Sequence, residues 1–282
     1  MRFLNIIFKV HPFSPCIFNK INFLQILFGM IGKKVLVQNI EISYKTNIST
    51  SPTIVFLHGN SLSSKIFKYQ FQNHQLNPFN LLAIDFPGHG NSHWSNNPER
   101  EYSLFGLRDI TLELVEKLKI GKFIFAGHSL DGHVAIECLP YLKNCNGIMI
   151  WGTPPVNLPL DISEVFLPNP EIPLVYKPDL SDDERTRLVK QLVQDKHHDL
   201  INNIIKKSDP QFRASLSQSL AEGKVSDELE ILLNSNTEIA LLHGSNDPII
   251  KADYLHKLSD LRLWKNNVQM IPNADHSAQL DN

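Results

Sequence analysis

Cysteine is scarce in this sequence: Cys16, Cys138 and Cys145 are the three in 282 residues. They form no C-x-x-C pair, and any single bridge would leave one thiol over. A disulfide framework is therefore not expected, and reduced thiols suit a cytoplasmic protein. Long apolar runs are also missing. None reaches the ~18 residues that a membrane-spanning helix needs, so no stable membrane span is expected. Neither sign of charge prevails: 27 Lys and Arg stand against 29 Asp and Glu, a net charge of −2. Nothing in that balance suggests a nucleic-acid partner. What remains is the composition of an ordinary soluble globular protein, 42% hydrophobic and 20% charged. The length suits one large α/β domain with an insertion, or two small domains.

The first 32 residues stand apart. They are rich in Phe, Ile and Leu, and residues 1–40 carry Arg2, Lys9, Lys20, Lys33 and Lys34 but no acidic residue. Pro12, Pro15, Asn19, Lys20 and Asn22 break the apolar runs, and no clean A-x-A cleavage site follows. Three readings stay open: an incidental extension upstream of a start at Met30, a membrane-associating segment, or an export signal.

From there the chain alternates. Val35–Tyr44 reads as a pair of short strands. Thr53–Leu57, Asn80–Ile84, Lys122–Ala126 and Gly147–Trp151 are short continuous apolar runs of the kind found in strands buried on both faces. Glu238–Leu242 and Val268–Ile271 follow after a gap. Ser103–Leu118 repeats Leu104, Leu107, Leu114 and Leu118 at helical spacing behind a capping serine. Strands alternating with helices imply an α/β fold with a doubly wound, mostly parallel sheet. The gap, 155–236, holds helical candidates at 181–195, 197–207, 209–222 and 226–233 and no strong strand run. Ser181-Asp182-Asp183-Glu184 is a capping box, and Ser208-Asp209-Pro210 is a stop-and-restart signal. The expected organisation is an extension at 1–32, an α/β core at 33–154 and 237–282, and a helical lid at 155–236 over the strand ends, where ligands bind in open α/β sheets.

The chemistry centres on Gly127-His128-Ser129-Leu130-Asp131, between a buried strand and a helix-compatible run. A serine there lies on a tight turn above the strand ends, with Gly127 allowing close backbone approach. The helix that follows aims its first N–H groups at the same spot, ready to stabilise negative charge. A plain helix N-cap is the bland alternative for Ser129; the strand–turn–helix setting favours a nucleophile. Serine needs a base, and the base an orienting acid. Asp247 lies just past the penultimate strand and His276 just past the last one, in the order Ser, acid, His. The backbone N–H groups of Leu130 and Asn60 are the candidate oxyanion donors. Gly59 lets that backbone come near substrate, while His58 and His128 are neighbours expected to stabilise the turns rather than react. His197-His198 reads as a solvated pair on a polar helix face.

His58-Gly59, Asp85-x-Pro87-Gly88-x-Gly90-x-Ser92 and Gly127-His128-Ser129-Leu130 together resemble the α/β-hydrolase superfamily over about residues 35–276. His58-Gly59-Asn60-Ser61 and Gly152-Thr153-Pro154-Pro155-Val156 resemble its branch containing N-acyl-homoserine-lactone hydrolases. The resemblance implies a small-molecule acyl ester or lactone as substrate, its acyl chain lodged under the lid, and no metal or organic cofactor. A carbon–carbon hydrolase or lyase with the same triad and a non-catalytic ligand-binding relative are the alternatives. Ser129 argues against the dehalogenase and epoxide-hydrolase relatives, which use an Asp nucleophile. Oligomeric state is not legible.

Three features depart from the pattern. Asp131 stands where the family has glycine, so its carboxylate either opposes an oxyanion or points away with Gly132 absorbing the strain. Asp275 replaces the glycine before the histidine. Asn282 follows His276 by six residues, where relatives add a helix; the expected consequence is bare apolar surface, with lower stability or a partner covering it.

Overall fold

The computed structural model describes residues 30–47 and 52–281. The expected extension lies outside them except for its last residues, and β1 (Ile31–Val37) already begins within it. β1 pairs antiparallel with β2 (Ile40–Thr46). The connecting residues Gln38 and Asn39 both take positive φ (47° and 65°), the two-residue turn whose twist suits a hairpin.

The remaining strands are β3 (Thr53–Leu57), β4 (Asn80–Ile84), β5 (Phe123–His128), β6 (Cys145–Trp151), β7 (Glu238–Gly244) and β8 (Gln269–Ile271). They form one sheet in the order β1-β2-β4-β3-β5-β6-β7-β8. β2 meets β4 antiparallel, and every pairing from β4 through β8 is parallel. All residues of β3 and β5 are buried, which is why their sequences are continuously apolar rather than alternating.

Helices cover both faces. α1 (Leu104–Lys117) starts at Ser103, whose hydroxyl accepts from the Gly106 N–H at 3.0 Å. It buries Leu104, Leu107, Ile110, Thr111, Leu114 and Val115, a stripe at helical spacing. α2 (Leu130–Cys138) follows β5 directly and packs against α1. Between β6 and β7 the longer elements are all helical: α3 (Asp182–Leu192), α4 (His198–Ile205), α5 (Pro210–Ala221) and α6 (Glu228–Asn234). Ser181 and Glu184 make the reciprocal capping box of α3, and Asp209 caps α5 ahead of Pro210. After β8, α7 (Ala278–Asp281) buries Ala278 and Leu280 and packs against Ser64–Phe67 and Lys68–Gln72. Its Gln279 Oε1 accepts from the Trp151 indole N–H at 2.6 Å. No helix among the described residues is long and apolar enough to cross a membrane.

His197 corrects the sequence reading. α4 begins only at His198, so His197 lies in the preceding turn, 3% exposed, with Nε2 2.7 Å from the Leu280 carbonyl. It ties the helical insertion to α7, and His198 is itself only partly exposed.

The far end of the insertion is fastened by a buried acid. The fully buried Glu228 takes the His133 Nδ1–H at 2.8 Å and the Val156 N–H at 3.0 Å, joining α6 to α2 and to the segment after β6. Burial disfavours the imidazolium of His133, yet the Glu228 carboxylate outweighs it and the ring titrates above its ordinary value. Glu228→Ala strands both donors and is expected to cost about 3–5 kcal/mol, read as a fall in the denaturant midpoint. Because the folded His133 pKa is raised, the charge-linked part of that deficit is full below about pH 6.5 and fades as pH climbs through the raised value. A deficit that stayed constant across that range would remove the charge from the account.

Candidate active site

The parallel strands bring three loops together at their C-terminal ends: the turn after β5 holds Ser129, the loop after β7 holds Asp247, and the loop after β8 holds His276. Ser129 takes φ 53° and ψ −126°, a sparsely populated backbone state costing on the order of 1–3 kcal/mol. Neighbours hold it there. Its N–H donates to the Trp151 carbonyl at 2.9 Å, and its carbonyl accepts from Thr153 Oγ1 at 2.7 Å and the Gly132 N–H at 3.0 Å. A Cβ on Gly127 would meet Gly132 Cα at 2.8 Å, so the turn needs glycine where strand and helix touch.

The hydroxyl thus presented reaches a partner. Ser129 Oγ lies 2.9 Å from His276 Nε2, and His276 Nδ1 lies 2.9 Å from Asp247 Oδ2. A carboxylate only accepts, so Nδ1 carries the proton and the neutral ring leaves Nε2 free to accept from the serine. Asp247 Oδ1 accepts from the Ile249 and Ile250 N–H groups at 2.8 and 3.3 Å, which fixes the carboxylate plane. Burial pushes the Asp247 carboxyl upward, but His276 and the Ile249 N–H outweigh it and hold it below the ordinary carboxylate value. His243 Nδ1 is 3.9 Å from the same Oδ2, beyond hydrogen-bond range, so that oxygen is left to His276.

The turn after β3 faces Ser129. Gly59, at φ 99°, is so close that a Cβ there would stand 3.0 Å from His128 and 3.4 Å from Ser129 Cβ. His58 takes the Phe86 N–H on Nε2 at 3.1 Å and donates from Nδ1 to the Gly59 carbonyl at 2.7 Å. Of the amides from Gly59 to Leu62, three have acceptors: Gly59 on Asp131 Oδ2 (2.7 Å), Ser61 on His89 Nε2 (3.1 Å), and Leu62 on the Gly59 carbonyl (3.2 Å). Only the Asn60 N–H has none among the described residues. Leu130, as the first residue of α2, has an N–H that the helix cannot satisfy. His128 is buried between the two loops, with Nδ1 2.9 Å from the His58 carbonyl and Nε2 3.1 Å from that of His276. Burial, and next the neighbouring His276, push its pKa down to about 3, so the ring is neutral and donates to one carbonyl at a time.

Asp131 takes the second of the two courses expected of it, its carboxyl turned away from the cleft and bonded to Gly59. The carboxylate, 1% exposed, turns back under the His58-Gly59 turn. Gly132 meets a different need, since a Cβ on it would sit 2.1 Å from Thr153 Oγ1. Asp275, the other departure from glycine, does not take the positive φ that would strain a side chain, and its N–H donates to Asp281 Oδ2 at 2.9 Å.

Contacts that the sequence did not signal bind the helical insertion to this site. Asn60 Nδ2 donates to the Val175 carbonyl at 2.9 Å, and the buried Arg213 of α5 donates to Ser61 Oγ at 2.9 Å. Tyr102 donates its hydroxyl proton to Asp209 at 2.7 Å, and Phe212 packs edge-on to His89. Neither a lone arginine nor a tyrosine carries a local pattern that announces such a contact. No group of three or more His, Cys, Asp or Glu that could hold a metal occurs among the described residues.

Comparison with known proteins agrees with this architecture. A Mycobacterium phage D29 protein assigned as a non-heme haloperoxidase is 29% identical over 103 residues, 36% of each chain. A Mycoplasma genitalium protein assigned as an esterase/lipase is 30% identical over 109 residues, 37% of this chain and 40% of that one. The match thus spans well under half the length of these relatives. A solved structure of a variant of the N-acyl homoserine lactonase AidH, complexed with N-hexanoyl homoserine lactone, superposes with a TM-score of 0.82. It covers 88% of this chain and 91% of that one at 24% identity, a likeness of fold. The model of the alpha/beta hydrolase family matches residues 54–282, most of the chain, and with the sheet and turns described above it shows that this protein belongs to the alpha/beta hydrolase family.

Proposed function

We propose that this chain is a serine hydrolase that cleaves carboxylic esters or lactones through an acyl-enzyme. The observation that carries this reading is the continuous hydrogen-bond line from Ser129 through His276 to Asp247, set on a strained turn. Ser129 Oγ attacks the substrate carbonyl carbon while His276 Nε2 takes its proton. Asp247 fixes the imidazole tautomer and stabilises the imidazolium that forms. The Asn60 and Leu130 N–H groups hold the developing oxyanion. His276 then protonates the departing alkoxide, which in a lactone stays tethered to the acyl group. Water, deprotonated by the same ring, releases the acid and restores the serine.

The insertion at 155–236 is the proposed lid, with the acyl chain beneath it. Its contacts to Asn60 and Ser61 support that placement. Acyl-homoserine lactones are the favoured substrates within the class, supported by the likeness of fold to AidH.

A fluorophosphonate probe tests the mechanism: it should label the folded protein at Ser129 and leave Ser129→Ala unlabelled. An adduct that persists in the variant sinks the nucleophile assignment, and no adduct on folded wild type favours a ligand-binding relative. A panel of p-nitrophenyl esters beside acyl-homoserine lactones of graded chain length tests the substrate. Ester turnover with complete inertness to every lactone removes the lactone assignment.

A further inference from the structure

Asp131 is the second residue of α2, two positions past Ser129, and it is almost fully buried. Its Oδ2 accepts the Gly59 N–H at 2.7 Å and stands 3.4 Å from His58 Nδ1. A carboxylate in such a place must be compensated, and a backbone N–H bonded to it forms one of the stronger hydrogen bonds available. The acceptor lies 72 residues along the chain from the donor it holds, so the bond ties the helix behind Ser129 to the turn in front of it.

Geometry gives that bond a consequence. Gly59 sits at φ 99°, a state with no Cβ to restrict it. Rotation about its backbone bonds swings the next peptide, which carries the Asn60 N–H and whose carbonyl also accepts from His58 Nδ1 at 2.7 Å and the Leu62 N–H at 3.2 Å. The amides on either side, Gly59 and Ser61, are each held by a side chain, Asp131 and His89, while the Asn60 N–H between them has no acceptor among the described residues. We propose that Asp131 is a positioning residue whose carboxylate anchors the Gly59 N–H and so aims the Asn60 N–H at the oxyanion formed on Ser129. The inference rests on the reading of Ser129 as nucleophile. The carboxyl that would oppose an oxyanion from within the cleft lies instead beneath the turn, bonded to Gly59 and facing His58, and burial pushes its pKa above the ordinary carboxylate value.

The test compares Asp131→Ala, Asp131→Asn and Asp131→Leu by steady-state kinetics on a p-nitrophenyl ester, with folding checked by circular dichroism. A misaimed oxyanion donor costs up to about 100-fold in kcat, so Asp131→Ala is expected to lose about 10- to 100-fold with KM changed less than about threefold. Affinity for a trifluoromethyl ketone, which adds to the serine as an oxyanion, should fall by the same factor. Binding of the matching ether, which has no carbonyl, should not change. Asp131→Asn keeps an acceptor oxygen for the Gly59 N–H and should stay within about fivefold of wild type. Asp131→Leu fills similar space with no acceptor and repeats the test if the alanine variant does not fold.

The proposal is overturned if folded Asp131→Ala or Asp131→Leu keeps wild-type kcat, if ketone and ether affinities fall together, or if the asparagine variant is as slow as the alanine one. Turnover that survives Ser129→Ala fails the nucleophile reading instead. Serine-dependent turnover indifferent to Asp131 fails this inference alone.

Discussion

Asp247→Asn is expected to lower kcat about 10⁴-fold while leaving the protein folded and KM nearly unchanged. The size follows from the tautomer. Asp247 Oδ1 is pinned by the Ile249 and Ile250 N–H groups, so an asparagine would keep its oxygen there and turn its NH₂ towards His276. The imidazole must then accept on Nδ1, which places its proton on Nε2 and faces a donor at the Ser129 hydroxyl. The base is present but holds the wrong proton. His243, 3.9 Å from Oδ2, has no geometry to substitute for the lost acceptor. Steady-state kinetics at fixed pH checks the prediction, and a loss smaller than about tenfold would show that Asp247 does not set the tautomer. The substitution should also alter acid stability. The Asp247 carboxyl titrates below its ordinary value in the folded protein, so its contribution is present above about pH 4 and vanishes as pH falls through the folded pKa. The wild-type advantage over Asp247→Asn in denaturant midpoint should therefore shrink on acidification.

The fold was legible in the sequence where burial alone writes the pattern. β3 and β4 match their continuous apolar runs residue for residue, because strands covered on both faces admit nothing else. α1 differs from its expected span only by its two capping residues. β5 runs two residues further than its apolar stretch, through Gly127 and His128, because pairing with Ile150 and Trp151 continues after the hydrophobic signal stops. The placement of Ser129, Asp247 and His276 was legible for a related reason: a parallel sheet puts the ends of its strands on one edge, and each residue follows a recognisable strand. Contacts between distant segments were not legible. Asp131 reads as a misfit beside the nucleophile until its partner, 72 residues upstream, is in view. His197 reads as solvated until the carbonyl of Leu280, 83 residues downstream, is brought against it. Glu228, an acidic residue in the first turn of its helix, gives no hint of complete burial. Periodicity records which face of an element is covered, and it holds no information about which polar group does the covering.

Ser129→Ala carries the largest expected effect, a fall in kcat of about 10⁶-fold, the loss seen when the serine is removed from such triads. Without Oγ, His276 has no proton to take and no covalent intermediate can form. The residual rate is what Asn60, Leu130 and binding supply to direct attack by water. The substitution tests the site rather than the fold. The backbone at Ser129 is held by its own N–H and carbonyl, through Trp151, Thr153 and Gly132, and none of those bonds uses the hydroxyl. A variant with an unchanged denaturation midpoint and no measurable turnover is thus the expected result. Mass spectrometry with a slowly deacylating ester gives a second reading independent of rate: wild type should gain the mass of one acyl group and the variant none. Turnover within about 100-fold of wild type, on protein shown to be free of the parent enzyme, would place the nucleophile elsewhere. The strained turn of Ser129 would then need another explanation, since a backbone state costing on the order of 1–3 kcal/mol persists only where the surrounding structure holds it, and such states cluster at active sites.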